Sequence, residues 1–146
     1  MKVIGFNIEE IHAKKSFEFK RANIGTNILF LGIEKAKLDV IKDSESLKVS
    51  FKFSIDYKDS EKKESSEKNE VLILGNLLLM VSKDESKEFL KSWKNKETPK
   101  DKTLGLYNFI LRRCSLKALQ LEDDLNLTPH IPFPQLRQQP QNQQNQ

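Results

Sequence analysis

The chain has 146 residues, 37% apolar and 32% charged, the balance of one water-soluble domain with a modest core and too short for a second full domain. Its longest apolar stretch, 71–74 and 77–81 around Gly75-Asn76, falls far short of the ~20 residues that span a bilayer as a helix. Lys and Arg total 25 against 21 Asp and Glu, a formal charge of +4, and the two signs are intermixed instead of forming the basic stripe of a dedicated nucleic-acid protein.

The chain opens Met1-Lys2-Val3-Ile4-Gly5-Phe6 and turns polar at once, without an apolar leader. A single cysteine, Cys114, makes no internal disulfide. Together these give a cytoplasmic expectation. Ile4, Phe6 and Ile8 alternate with Gly5 and Asn7, and Phe17 and Phe19 flank Glu18, which predicts a long or interrupted first strand. Ala36, Leu38 and Val40 alternate with Lys35, Lys37 and Asp39 and predict a second. After a polar turn at 42–46 comes the clearest strand: Leu47, Val49, Phe51, Phe53, Ile55 and Tyr57 are apolar, and every residue between them is polar. It pairs with the strand before it in this reading. Residues 59–70 hold no apolar side chain and read as a long solvated hairpin tip. In 71–81 both phases of the alternation are apolar, which predicts cover on both faces, one supplied by something outside the chain.

The C-terminal half reads as helical. Asp84 and Glu85 suit a helix start, and Phe89, Leu90 and Trp93 form a narrow stripe before Asn95 and Pro99 end it. In the next segment Leu104, Tyr107, Leu111, Cys114, Ala118, Leu121 and Leu125 recur at steps of three and four and predict one helix face. Leu106, Phe109, Ile110, Leu116 and Leu119 widen it, so that the helix is expected between the sheet and a second copy of itself. Pro129, Pro132 and Pro134 keep 128–134 extended. Residues 137–146, rich in Gln and Asn, read as a disordered tail after a single domain over 1–136.

Chemistry-bearing constellations are sparse. His12 and His130 are the two histidines, neither at metal-ligand spacing to other donors, and the five glycines build no phosphate loop. No metal and no cofactor is expected. Cys114 reads as a small core hydrophobe, with His130 as a conceivable base. Glu122, Asp123 and Asp124 read as a solvated face near a helix end. By elimination the chain is a binding protein and not an enzyme.

The element order and certain residues resemble the SecB-type protein-export chaperones. Leu106-Tyr107-Asn108-Phe109-Ile110-Leu111-Arg112-Arg113-Cys114 looks like the start of that family's long helix. Leu125-Asn126-Leu127-Thr128-Pro129-His130-Ile131 is similar to the Leu-x-Leu-x-Pro stretch after it, and 49–57 with 71–81 takes the place of its central hairpin. The chain departs from the family in its positive charge, in Glu122-Asp123-Asp124 and in its Gln-rich end, where an acidic tail would contact the export motor. The resemblance implies an α+β fold, a four-stranded antiparallel sheet followed by a short and a long helix. It implies a homo-oligomer, a dimer of dimers, whose apolar grooves hold unfolded or non-native polypeptide without ATP. Phe17, Phe19, Leu78, Met80 and Phe133 are the side chains expected to line such grooves, Met80 for its adaptability. Two other readings stand beside it: a structural or regulatory oligomer whose apolar surfaces are all sealed, and nucleic-acid binding through Lys14-Lys15, Lys20-Arg21 and Arg112-Arg113, which the charge pattern disfavours.

Overall fold

The computed structural model describes residues 1–16, 22–37, 42–59 and 69–139. Four strands, β1 (Lys2–Lys14), β2 (Ala22–Lys35), β3 (Ser44–Asp59) and β4 (Asn69–Ser82), precede two helices, α1 (Lys83–Trp93) and α2 (Lys100–Asp124). The strands form one antiparallel sheet in the order β1-β4-β3-β2. The fold is thus the α+β class expected, with the sheet first and a short and a long helix after it.

The period-two strand becomes β3, and its apolar phase is the centre of the core. Leu47, Val49, Phe51, Phe53 and Ile55 are fully buried and Tyr57 nearly so. In the β3–β4 register Leu47 stands opposite Leu79, Val49 opposite Leu77, Phe53 opposite Ile73 and Ile55 opposite Val71. Directly paired residues share a face, so these eight side chains make one apolar surface. Phe89 of α1 and Leu106, Ile110, Cys114 and Ala118 of α2 close over it, each large side chain contributing ~1.5–3 kcal/mol on removal from water.

The other phase of β4 carries Leu72, Leu74, Leu78 and Met80, which remain half-exposed. The expectation of cover on both faces is met by this chain on one face only. The second strand also differs from expectation: it runs from Ala22 to Lys35, ahead of the predicted 36–40. Of that prediction, Leu38 and Val40 lie outside the described residues, as do Phe17 and Phe19, residues 60–68 of the hairpin tip and 140–146 of the tail. The buried row of α2 is Leu106, Ile110, Cys114, Ala118 and Glu122, whereas Leu104, Leu111 and Leu116 are exposed. The predicted seam was therefore turned about the helix axis, because an apolar arc this wide does not say which part meets the sheet.

Two local features hold the layers in register. Gly75 sits against a β1 whose pairing slips between Ile8 and Glu10. A Cβ at Gly75 would stand 2.2 Å from the Asn7 carbonyl oxygen and 2.9 Å from the Phe51 ring. The space is taken by that ring, which stacks on Phe6 of β1 at 5.6 Å. At the sheet–helix junction, Ser82 and Glu85 form a capping box: the Glu85 amide donates to Ser82 Oγ at 3.2 Å, and the Ser82 amide donates to Glu85 Oε1 at 3.3 Å. Lys102 of α2 donates to Glu85 Oε2 at 2.7 Å and the Met1 amino group approaches to 3.3 Å, so one carboxylate joins the chain start, α1 and α2.

Gly75→Ala is expected to lose about 2–3 kcal/mol in urea denaturation, the scale of forced overpacking. Gly5→Ala, whose new Cβ meets only the flexible Leu78 side chain at 3.0 Å, should lose less than half as much. The Lys102 hydrogen bond, against the opposing pull of partial burial, holds the Glu85 carboxyl down to about 2 from an ordinary 4.5. A carboxyl depressed in the folded state stabilises it fully above its ordinary range, and that contribution is lost as pH falls from about 4.5 towards 2. Glu85→Gln should therefore flatten this part of the acid limb in a plot of melting temperature against pH, with ~0.5–1 kcal/mol lost at neutral pH.

Candidate functional site

Among the described residues β2 is the last strand of the sheet on its side, so its outer edge carries backbone donors and acceptors that no described strand pairs. Beside that edge the α1–α2 connection folds back and leaves a cleft of about 470 Å³. Leu29 and Phe30 of β2, Trp93 at the end of α1 and Leu104 and Tyr107 of α2 supply its apolar lining. The Phe30 and Tyr107 rings stack nearly parallel, 4.8 Å apart at 4°, and fix the floor.

The connection is shaped by local chemistry. Lys96 takes a left-handed φ of 59°, and its ammonium lies 5.1 Å from the Trp93 ring, within cation–π range. Thr103 Oγ1 lies 2.5 Å from Thr98 Oγ1 and donates to the Pro99 carbonyl at 2.8 Å, pinning the start of α2. Lys96, Glu97 and Lys100 ring the mouth, and Leu104 is 68% exposed within it. Such a site offers apolar contact, aromatic faces and a strand edge to an extended chain.

A second constellation lies on the helix-covered face, away from the cleft lining. Asn126, at φ 53°, ends α2 in a Schellman turn: the Leu127 amide donates to the Glu122 carbonyl at 2.8 Å and the Asn126 amide to that of Asp123 at 3.2 Å. The chain thereby doubles back and brings His130 over α2. Glu122, which sequence places on a solvated face, is fully buried; Asp123 and Asp124 are exposed as expected. Tyr57 of β3 donates its hydroxyl to Glu122 Oε2, and His130 Nδ1 meets Oε1 at 2.6 Å. His130 Nε2 lies 3.2 Å from the Ser115 hydroxyl, and the ring stands edge-on to Phe53 at 6.3 Å. Burial first, then the Glu122 hydrogen bond and charge, push the Tyr57 phenol well above its ordinary range. It stays a donor at all physiological pH.

Ser115, His130 and Glu122 follow the order of a hydrolytic triad. Ser115, however, sits in mid-helix and is 5% exposed. The cluster ties the C-terminal segment to α2 and β3. His130 meets Ser115, the neighbour of Cys114, so the pairing of Cys114 with His130 considered from sequence is replaced by this one. Burial pushes the Cys114 thiol up to about 12, which suppresses thiolate chemistry at neutral pH.

The residues singled out for client contact do not converge. Leu78 and Met80 lie half-exposed on the outward face of β4, Phe133 is 61% exposed on the C-terminal segment, and Phe17 and Phe19 fall outside the described residues. The cleft lining was not picked out as a site, although Trp93, Leu104 and Tyr107 were each visible as apolar helix positions. The missing partner was β2, whose Phe30 reaches Tyr107 across 77 residues of chain.

The chain matches no family model and no curated protein. Among solved structures it is similar to a SecB-like chaperone of Mycobacterium tuberculosis, solved in complex with a peptide from an antitoxin. The identity is 13%, the match covers 94% of this chain and 92% of that one, and the TM-score is 0.40.

Removing the carboxylate at the centre of the cluster leaves Tyr57 and His130 without their acceptor. Glu122→Ala is expected to lose about 2–4 kcal/mol and to speed amide exchange over 125–131, read by mass spectrometry. Glu122→Gln, which keeps an acceptor, should retain more of both.

Proposed function

We propose that the protein is a nucleotide-independent holdase that keeps extended or non-native polypeptide segments in solution by covering their apolar side chains. The observation that carries this reading is the aromatic cleft against the free edge of β2. An unfolded chain exposes apolar side chains and unpaired backbone together, and this site complements both. Contact with Trp93, Phe30, Tyr107 and Leu104 gains ~25 cal/mol per Å² of apolar surface covered, and pairing to the β2 backbone is indifferent to sequence.

The resemblance of 106–114 and 125–131 to SecB-type chaperones supports the same reading. Within it the protein acts in the cytoplasm as a homo-oligomer, by binding and not by catalysis. Phe17, Phe19 and Phe133 remain proposed client contacts, with Leu78 and Met80 on the outward phase of β4. A reading as a sealed structural oligomer draws on Leu104, Leu111 and Leu116, which are apolar and exposed on α2.

Purified protein should suppress light scattering from a chemically unfolded, aggregation-prone client diluted into buffer without nucleotide, at near-stoichiometric amounts. Leu104→Asp, a change at an exposed position that leaves the fold intact by circular dichroism, should raise the amount needed at least fivefold. No suppression by the folded wild-type protein would move the function to the sealed oligomer.

A further inference from the structure

The flank of α2 that His130 covers continues, uncovered, to the cleft. Glu122, Ser115, Leu111 and Leu104 are spaced by 7, 4 and 7 residues, which sets them within about 40° of one another around the helix. Under His130 this flank is closed: Glu122 is fully buried and Ser115 nearly so. Beyond it Leu111 is 39% and Leu104 68% exposed. The sheet repeats the pattern. His130 stands over Phe53; Ile28, opposite Phe53 on β2, is half-buried, and Phe30, opposite Phe51, lies in the cleft floor.

The C-terminal segment is aimed along this flank. It turns at Asn126, passes Leu127 on the Glu122 carbonyl, and brings His130 between Glu122 and Ser115, so it runs towards the start of α2. Past His130 it carries apolar side chains without cover: Ile131 and Phe133 are 41% and 61% exposed and Leu136 entirely so. Pro132 and Pro134 hold this stretch extended.

From these two uncovered rows, which start at one joint, we infer that residues 131–136 are a strap that closes over the cleft of their own chain when no client is bound. The reach fits. From a His130 midway between its partners, Leu111 lies about 11 Å and Tyr107 about 17 Å further towards the helix start, at 1.5 Å per residue. Extended chain of the polyproline type puts Phe133 about 9 Å and Leu136 about 19 Å beyond His130, so Phe133 meets Leu111 and Leu136 meets the cleft at Tyr107 and Leu104. A chain already held extended by two prolines gives up little freedom on docking. Those prolines have no amide N–H, so the strap fills the apolar floor without completing strand pairing to β2. A client that offers both displaces it, and Phe133 on the opened strap is then free to meet that client. The inference rests on the cleft being the client site and supplies its regulation.

Trp93, the single tryptophan, lines the cleft and reads the strap without any client. In acrylamide quenching of the full chain, Phe133→Ser with Leu136→Ser, both at exposed positions, should raise the Trp93 quenching constant about twofold and shift its emission to the red. Leu136→Ser alone should tighten binding of labelled, reduced and alkylated lysozyme, a permanently unfolded chain, by about two- to fivefold, the gain expected where the strap closes the cleft for a half to four fifths of the time. Leu111→Cys with Phe133→Cys should give a disulfide within one chain under mild oxidation, while buried Cys114 stays reduced. The inference is overturned if Trp93 is as accessible in the wild type as in the double variant, if the engineered disulfide joins two chains, or if Leu136→Ser weakens retention of the unfolded chain, which would make the segment a client contact. Shielding of Trp93 that the double variant removes, in a protein that retains no unfolded chain, upholds the strap and overturns the client reading instead.

Discussion

The structure depends on the burial of one phase of β3. Leu47, Val49, Phe51, Phe53, Ile55 and Tyr57 all face the helices, and a one-residue slip would send every one of them to the other face. Register along β3 therefore fixes register in both neighbours, β2 on one side and β4 on the other. The stripe ends in a tyrosine, and that last position changes its character: a hydroxyl at the margin of an apolar face has to find an acceptor. It finds Glu122, and Glu122 in turn receives His130. The path of the C-terminal segment is thus set by the outermost member of an apolar row laid down 65 residues earlier.

A buried carboxylate is costly unless its oxygens are met by donors. Both oxygens of Glu122 are met, one by Tyr57 and one by His130, and Ser115 completes the ring on its far side. This is a fully connected polar cluster, which specifies a single arrangement more strictly than an apolar plug of the same volume does. The Schellman turn at Asn126 supplies the geometry and the cluster supplies the direction. Neither is sufficient alone, because the turn reverses the chain without choosing which residue lands on α2.

What the sequence disclosed, and what it concealed, follows from whether the deciding contact is local. The alternation of 47–57 is a local signal and maps onto β3 residue by residue, and Asp84 and Glu85, read as suiting a helix start, fall in the first turn of α1. β2 was obscured because Leu29 and Leu31 fill the phase opposite to Ile28 and Phe30. A register shift between Phe30 and Gly32 then moves the pattern from one parity to the other, so no unbroken period of two survives. Glu122 was obscured for a different reason. A carboxylate in the last turn of a helix has no local feature that distinguishes a solvated position from a buried one, and its partners come from β3 and from beyond the helix end. The cleft shares that difficulty, since Phe30 and Tyr107 are stacked only once β2 is placed.

With both helices on one face, the sheet leaves two surfaces of unlike chemistry. The edge beside β2 is concave and aromatic and offers unpaired backbone, qualities that do not discriminate among extended chains. The outward face carries Leu72, Leu74, Leu78 and Met80 half-exposed along β4, among polar and charged neighbours of both signs. A binder that must tolerate many sequences gains from the first kind of surface. The four strands keep the two apart, so that occupancy of one does not cover the other.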